Sequence, residues 1–290
     1  MDIIADHYTL PHDDLARAWT AIKLSDRVRQ RLLAQSLLAL QLRQHFSFEA
    51  LPVHGLILLA GQPGTGKTTL ARGLANRLAS VVKGRPATFL QIDPHALNSS
   101  SLGRTQKEVT KLFQQTIPEH ATEGPCFVLL DEVETIAPDR KRMSFETNPA
   151  DVHRATDAAL AGIDLLTRKH QNVLLIATTN FPEAVDRALL SRADWIEEMG
   201  VPTAEHRAEI IGEVLDQLAT VWPDVADLKP QISAFVSASE GFDGRKLRKA
   251  IVAAAASSIE TARDPNNLQP SHVMTTLRKL AETSSTEEAA

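Results

Sequence analysis

The sequence predicts an α/β protein in which a parallel sheet covered by helices is followed by an all-helical part. Three observations carry that prediction. Apolar runs of strand length recur between helical patterns, the runs are continuous rather than alternating, and strand signals stop after Val201-Pro202. Continuous runs mark strands buried on both faces, which is the condition of parallel strands flanked by helices. The 290 residues leave room for one large and one smaller domain. The loss of strand signal divides them as residues 1–200, with N-terminal helices ahead of the sheet, and residues 201–290.

From about Asp14 to Gln44, Leu15, Trp19, Ile22, Val28, Leu32, Leu37 and Leu40 recur at roughly helical spacing among Arg27, Arg29, Arg31 and Arg43, which predicts two amphipathic helices. Gly55 to Ala60 reads as the first strand, lying between a proline-containing turn and a glycine-rich segment. A helix follows, with Leu70, Leu74 and Leu78 four apart on one face. Thr88 to Ile92, Cys126 to Leu130, Val173 to Thr178 and Trp195 to Met199 read as further strands, with helices near Lys107 to Gln115 and Val152 to Arg168. Beyond the break, helical patterns cover Ala204 to Ala219, Pro230 to Ser239, Gly244 to Ala262 and Pro270 to Glu282. The small, polar and acidic Ser284 to Ala290 is expected to fray.

Composition narrows the function classes. With 31 Lys+Arg against 36 Asp+Glu the formal charge is −5, which weighs against tight non-specific binding to nucleic acid. A hydrophobic fraction of 43% and a charged fraction of 23% match a globular chain with a sizeable core. The single cysteine, Cys126, excludes an intramolecular disulfide and a multi-cysteine zinc site, and fits a reducing compartment. The N-terminus carries Asp2 and Asp6 where a secretory signal would carry base. The longest apolar runs fall far below the roughly 20 residues of a membrane helix, so the expected location is the cytoplasm.

The chemistry begins at Gly61-Gln62-Pro63-Gly64-Thr65-Gly66-Lys67-Thr68, the phosphate-loop pattern between a strand and a helix, with Thr69 following in the first helical turn. Glycines let the backbone turn its N–H groups inward around phosphate oxygens, and the helix N-terminus adds positive potential. Lys67 then meets the β- and γ-phosphates, and the Thr68 hydroxyl is a ligand for Mg²⁺, a hard ion that takes oxygen donors. Cys126 to Leu130 ends in Asp131-Glu132, the Walker B arrangement. Asp131 would hold the Mg²⁺ shell and Glu132 would orient or deprotonate the attacking water, with Glu134 as a rival base. Val173 to Thr179 ends in Asn180, a neutral amide able to hold that water or touch the γ-phosphate.

Together these residues resemble the AAA+ ATPases, and the similarity extends over nearly the whole chain. The resemblance implies a nucleotide-binding large domain, a small helical lid domain, and ATP with Mg²⁺ as cofactors. It also implies a homo-hexameric ring in which each site is completed by the next subunit. Asp186 to Asp194 occupies the place of the arginine finger, with Arg192 as the matching residue, and Gly241-Phe242-Asp243-Gly244-Arg245 looks like the lid sensor motif, with Arg245 returning to the nucleotide. A finger supplied in trans is worth about 10³ to 10⁵ in rate, or roughly 4–7 kcal/mol.

Within that superfamily the chain resembles the pachytene-checkpoint type that remodels HORMA-domain proteins. Ala18-Trp19-Thr20, Val109 to Gln114, Leu130 to Glu134 and Gly244 to Lys249 carry the likeness, together with Arg154, Leu160, Ile163 and Asp164 at matching positions. A double Arg-Gly-Arg finger is absent. Only about fifty residues precede the first strand, so the chain looks like a minimal, bacterial-style member without the N-terminal adaptor domain. The resemblance then implies a HORMA-domain partner and a place in bacterial antiphage signalling. In the first pore-loop segment, Asn98 to Arg104, the aromatic of many translocating members is missing. Leu102, beside Gly103, is the bulky apolar candidate for gripping substrate, and the alternative is an ordinary flexible loop. Arg140 to Asn148 is either a second pore loop or a mobile one. The competing function is that of a DNA-directed AAA+ ATPase, a transposition helper or clamp-loader-like subunit, on the strength of Arg140-Lys141-Arg142 and Arg245 to Lys249.

Overall fold

The computed structural model describes residues 3–82, 84–97, 104–139 and 149–287. The chain divides into two compact units, one of residues 1–62 and 67–199, the other of residues 63–66 and 200–290.

In the first unit the strands are β1 (Ile4–Leu10), β2 (Leu56–Ala60), β3 (Ala87–Ile92), β4 (Cys126–Leu130), β5 (Val173–Thr179) and β6 (Trp195–Glu198). They form one sheet in the order β1-β3-β4-β5-β2-β6, with β1 antiparallel to β3 and every other pairing parallel. The helices are α1 (Asp13–Ala21), α2 (Asp26–His45), α3 (Lys67–Val81), α4 (Pro94–Leu97), α5 (Arg104–Lys111), α6 (Ile117–His120), α7 (Pro149–Lys169) and α8 (Arg187–Leu190). The five predicted strands all form. β2, β4 and β5 are buried along their whole length because residues alternate between two separate cores. Leu56, Leu58, Val128, Leu130, Leu175 and Ala177 pack on one face with Val109, Phe113 and Ile163. Ile57, Leu59, Phe127, Leu129, Leu174 and Ile176 pack on the other with Leu15, Leu32, Leu70 and Leu74. On that second face α1 lies directly on α3: a Cβ on Gly73 would fall 2.4 Å from the Trp19 backbone nitrogen, so the approach needs glycine.

Strand β1 is absent from the sequence reading. Its inner face is interrupted by Asp6 and its outer face carries the exposed His7 and Thr9, its exposure alternates along its length, and it lies at the sheet edge, so it never makes an apolar run. It makes the sheet mixed rather than wholly parallel. Asp6 is paired with Arg72 of α3 at 2.9 Å, and Arg72 also reaches Gln91 of β3 at 3.0 Å.

The parallel register sets the level of the strand ends. Leu130 lies opposite Ala177, and Ala60 lies opposite both Thr179 and Glu198, so the segments after β2, β4 and β5 leave the sheet together at its carboxyl edge.

The second unit is built from α9 (Ala204–Ala219), α10 (Ile232–Ala238), α11 (Gly244–Ala254), α12 (Ile259–Arg263) and α13 (Pro270–Glu287) around Ile211, Leu215, Phe235, Leu247, Ile251, Val273 and Leu277. Two predicted helices differ in extent. Residues 223–231 form a 3-10 turn that carries Pro230, so the helix predicted from Pro230 starts at Ile232. The segment Gly244 to Ala262 is two helices, because Ser258 and Thr261 form a reciprocal capping box that restarts the chain. α13 continues through Glu287, past the point where fraying is predicted. Among the described residues no helix is long and apolar enough to cross a membrane.

Candidate nucleotide site

The loop between β2 and α3 is shaped by backbone that only glycine adopts readily. Gly61 sits at φ 149°, and a Cβ there would meet the Met199 carbonyl oxygen at 2.2 Å. The Gly61 amide is tied to Thr179 O at 3.2 Å, which fixes the start of the loop to the end of β5. Gln62 and Pro63 are exposed and Thr65 is buried. Lys67, 5% exposed as the first residue of α3, turns its ammonium back over the loop, donating to Gly61 O at 2.7 Å and Gln62 O at 2.9 Å. The charge therefore lies inside the glycine cradle at a helix N-terminus, where the electrostatics favour an anion. Thr68 and Thr69 follow, half-buried, in the first turn of α3.

Asp131 and Glu132 emerge beside this loop. The Thr68 hydroxyl donates to Asp131 Oδ1 at 2.9 Å, so the two oxygen donors assigned to Mg²⁺ converge. Such a pair fits a small hard cation that takes one or two protein oxygens and completes its shell with phosphate and water. Among the described residues no group of three or more His, Cys, Asp or Glu could hold a metal by itself. Glu132 lies at φ 49° and ψ 55°, and its carboxylate accepts from Asn180 Nδ2 at 3.1 Å. The Asn180 backbone N–H donates to Glu134 Oε1 at 3.0 Å. Glu134 is therefore drawn into the cluster as a brace for Asn180. Its other oxygen, Oε2, is buried without a hydrogen-bond partner.

Sequence reasoning missed Thr178, whose hydroxyl donates to Asp131 Oδ1 and accepts the Glu132 amide at 3.0 Å. The available signal was a hydroxyl inside an otherwise apolar strand, since a buried polar group must find partners. Cys126, also buried in β4, has its thiol pushed up to about 12 by burial and is chemically quiet.

Arg192 stands apart from this cluster. Its guanidinium is held by Asp164 of α7 through Nε and Nη2, both at 2.8 Å, and donates from Nη1 to Ala188 O at 2.8 Å. The bidentate pair holds Asp164 below the usual carboxylate range and raises Arg192. His54 Nε2 lies 3.9 Å from Asp164, and burial lowers its pKa. Arg245 is exposed in the first turn of α11, where the Asp243 side chain caps the helix by accepting from the Arg245 and Lys246 amides at 2.8 and 2.9 Å. Leu102 and Gly103, and the segment Arg140 to Asn148, lie outside the described residues.

The family model for the ATPase family associated with various cellular activities (AAA) matches residues 57–201, the span from β2 through β6. The chain belongs to this family and is a nucleotide-binding, ATP-hydrolysing enzyme. A more particular likeness follows the same residues. CD-NTase-associated protein 6 of Pseudomonas aeruginosa is 42% identical over 274 residues, covering 94% of this chain and 90% of the relative. The structure of PCH-2 from C. elegans is 25% identical with a TM-score of 0.74, covering 97% of this chain and 75% of that one. A chain of the E. coli MS115-1 HORMA:CdnC:Trip13 complex shares the fold at 18% identity, with a TM-score of 0.76 and 95% coverage of both chains. The pachytene-checkpoint resemblance read from the motifs is thereby met.

Proposed function

We propose that this ATPase remodels or partly unfolds a HORMA-domain protein and so disassembles its complexes in bacterial antiphage signalling, working as a homo-hexameric ring in the cytoplasm. The observation that carries the reading is the 42% identity to CD-NTase-associated protein 6 along 94% of this chain.

In the proposed mechanism Gly61 to Thr69 cradle the triphosphate, with Lys67 leaving its own loop carbonyls for the β- and γ-phosphate oxygens. Thr68 and Asp131 would hold Mg²⁺, which when bound neutralises charge on the transferred phosphoryl group. Asn180 and Glu132 hold a water in line; Glu132 takes its proton as the water oxygen bonds to the γ-phosphorus and the bond to ADP breaks. Arg192 leaves Asp164 to complete the pocket of the neighbouring copy, and Arg245 couples residues 201–290, acting as the lid, to the nucleotide. Leu102 and Gly103 would contact the threaded polypeptide.

The test is capture. Glu132→Gln protein loaded with ATP is mixed with a purified HORMA-domain protein, alone and bound to CdnC, and sized on a column. The reading expects an ATP-dependent ring that retains the HORMA protein. A variant that assembles with ATP yet retains none at micromolar concentrations would count against the substrate assignment.

A further inference from the structure

Thr178 occupies the last stretch of β5, 1% exposed, next to the point where β4 delivers Asp131 and Glu132. A hydroxyl has one proton to give. Here that proton goes to Asp131 Oδ1, and the oxygen accepts the Glu132 amide at 3.0 Å. The single proton and one of the two lone pairs of this buried side chain therefore serve the two acids of the site.

The second contact matters because of where it falls. Glu132 is the one non-glycine residue with positive φ among the described residues. A side chain adopts that left-handed backbone only where its surroundings hold it there. The restraint comes from both sides. Thr178 takes the Glu132 amide, while the amide and hydroxyl of Thr135 donate to Glu132 O at 2.9 and 2.8 Å. The reversed backbone aims the Glu132 carboxylate at Asn180 Nδ2.

We propose that Thr178 is a positioning residue for hydrolysis: its hydroxyl locks the left-handed turn at Glu132 and the orientation of Asp131 at once, joining the water-activating and cation-facing acids into one rigid unit. The inference rests on the reading of Glu132 as the group that takes the water's proton. Without the hydroxyl, Glu132 relaxes toward negative φ and its carboxylate leaves Asn180. The glycine cradle and Lys67 make none of their hydrogen bonds to the Thr178 hydroxyl, so nucleotide binding persists.

The experiment compares Thr178→Val, which keeps the shape and removes the hydroxyl, with Thr178→Ser, which keeps the hydroxyl. Steady-state ATP hydrolysis and equilibrium binding of a fluorescent ATP analogue are measured on the full chain. Thr178→Val is expected to lower kcat about 10- to 100-fold while KM and analogue affinity stay within about 3-fold, and Thr178→Ser to recover to within about 3-fold of wild type. Thr178→Ala serves in its place should Thr178→Val fail to fold. Unchanged turnover in the hydroxyl-free variant overturns the proposal. So does Thr178→Ser as slow as Thr178→Val, or a loss of affinity as large as the loss of turnover. Glu132→Gln is assayed alongside. If it turns over normally, the assignment of Glu132 is what fails. If it is inactive while Thr178→Val is fast, only the role of Thr178 fails.

Discussion

Replacing Asp194 by Ala tests how the sheet is anchored beneath the nucleotide loop. The Asp194 carboxylate accepts three consecutive amides at the entrance to β2, from His54 at 2.9 Å, Gly55 at 2.6 Å and Leu56 at 3.0 Å. Gly55 and Leu56 are buried and His54 is half-buried, so water can replace the lost acceptor at one amide but not readily at the other two. Each buried donor left unpaired costs about 1–3 kcal/mol, which puts the loss near 4 kcal/mol before relaxation and about 3 kcal/mol after it. Arg43 adds to the effect. It is 4% exposed and donates to the carbonyls of Val173, Leu166 and His170, and burial pulls its pKa down to about 10 against the opposing field of Asp194. Its folded value lies below its unfolded one, so its burial penalty is present in full below about pH 10. The loss in the variant is therefore expected to be flat from pH 7 to 9. Urea unfolding followed by the summed fluorescence of Trp19, Trp195 and Trp222, with calorimetry in parallel, reads the change. For a unit of this size 3 kcal/mol corresponds to about 6–12 °C in Tm. A variant within about 0.5 kcal/mol of wild type would refute the assigned role of the carboxylate, given the energy of an ordinary hydrogen bond.

Three further outcomes are expected. His54 and His170 both have pKa values lowered by burial, so the unfolded chain binds more protons and stability falls as pH drops through 6.5; His54→Gln should flatten that slope in urea titrations at pH 5.5 to 7.5. Asp164 acts at lower pH, because its depressed pKa gives stability that is present above 3.8 and lost on further acidification, and Asp164→Asn should lose that component. Leu74→Ala removes a side chain at 0% exposure from the core between α3 and the sheet and should cost about 2–5 kcal/mol by chemical denaturation.

The parallel strands were legible because burial on both faces forces continuous apolar runs, as in Leu56 to Ala60 and Cys126 to Leu130. β1 was not, since an edge strand can keep Asp6 and His7, and its pairing with β3 is a tertiary fact. The phosphate loop and Asp131-Glu132 could be read because cradling a phosphate and ligating a hard cation demand particular residue types at fixed spacing. Asn180 was found as an amide at a strand end. Thr178 was hidden by its resemblance to an ordinary β-branched strand residue, and only the register of β4 on β5 shows that its hydroxyl meets both acids. The Asp164–Arg192 pair crosses from α7 to the turn after α8, a separation over which no local pattern carries information. The break in Gly244 to Ala262 was in principle readable from Ser258 and Thr261, but helical periodicity masked the capping box.

In the proposed mechanism a triphosphate seated over Lys67 is hydrolysed by Glu132 with Arg192 contributed by an adjoining copy. Mixing Glu132→Gln with Arg192→Ala protein tests it most directly, because each variant lacks a different half of a shared pocket. Each alone should hydrolyse ATP poorly, and an equimolar mixture should recover up to about a quarter of wild-type turnover, as intact Glu132 meets intact Arg192 at mixed interfaces. A mixture no more active than its parts, or an Arg192→Ala protein that turns over ATP at the wild-type rate, would contradict the account.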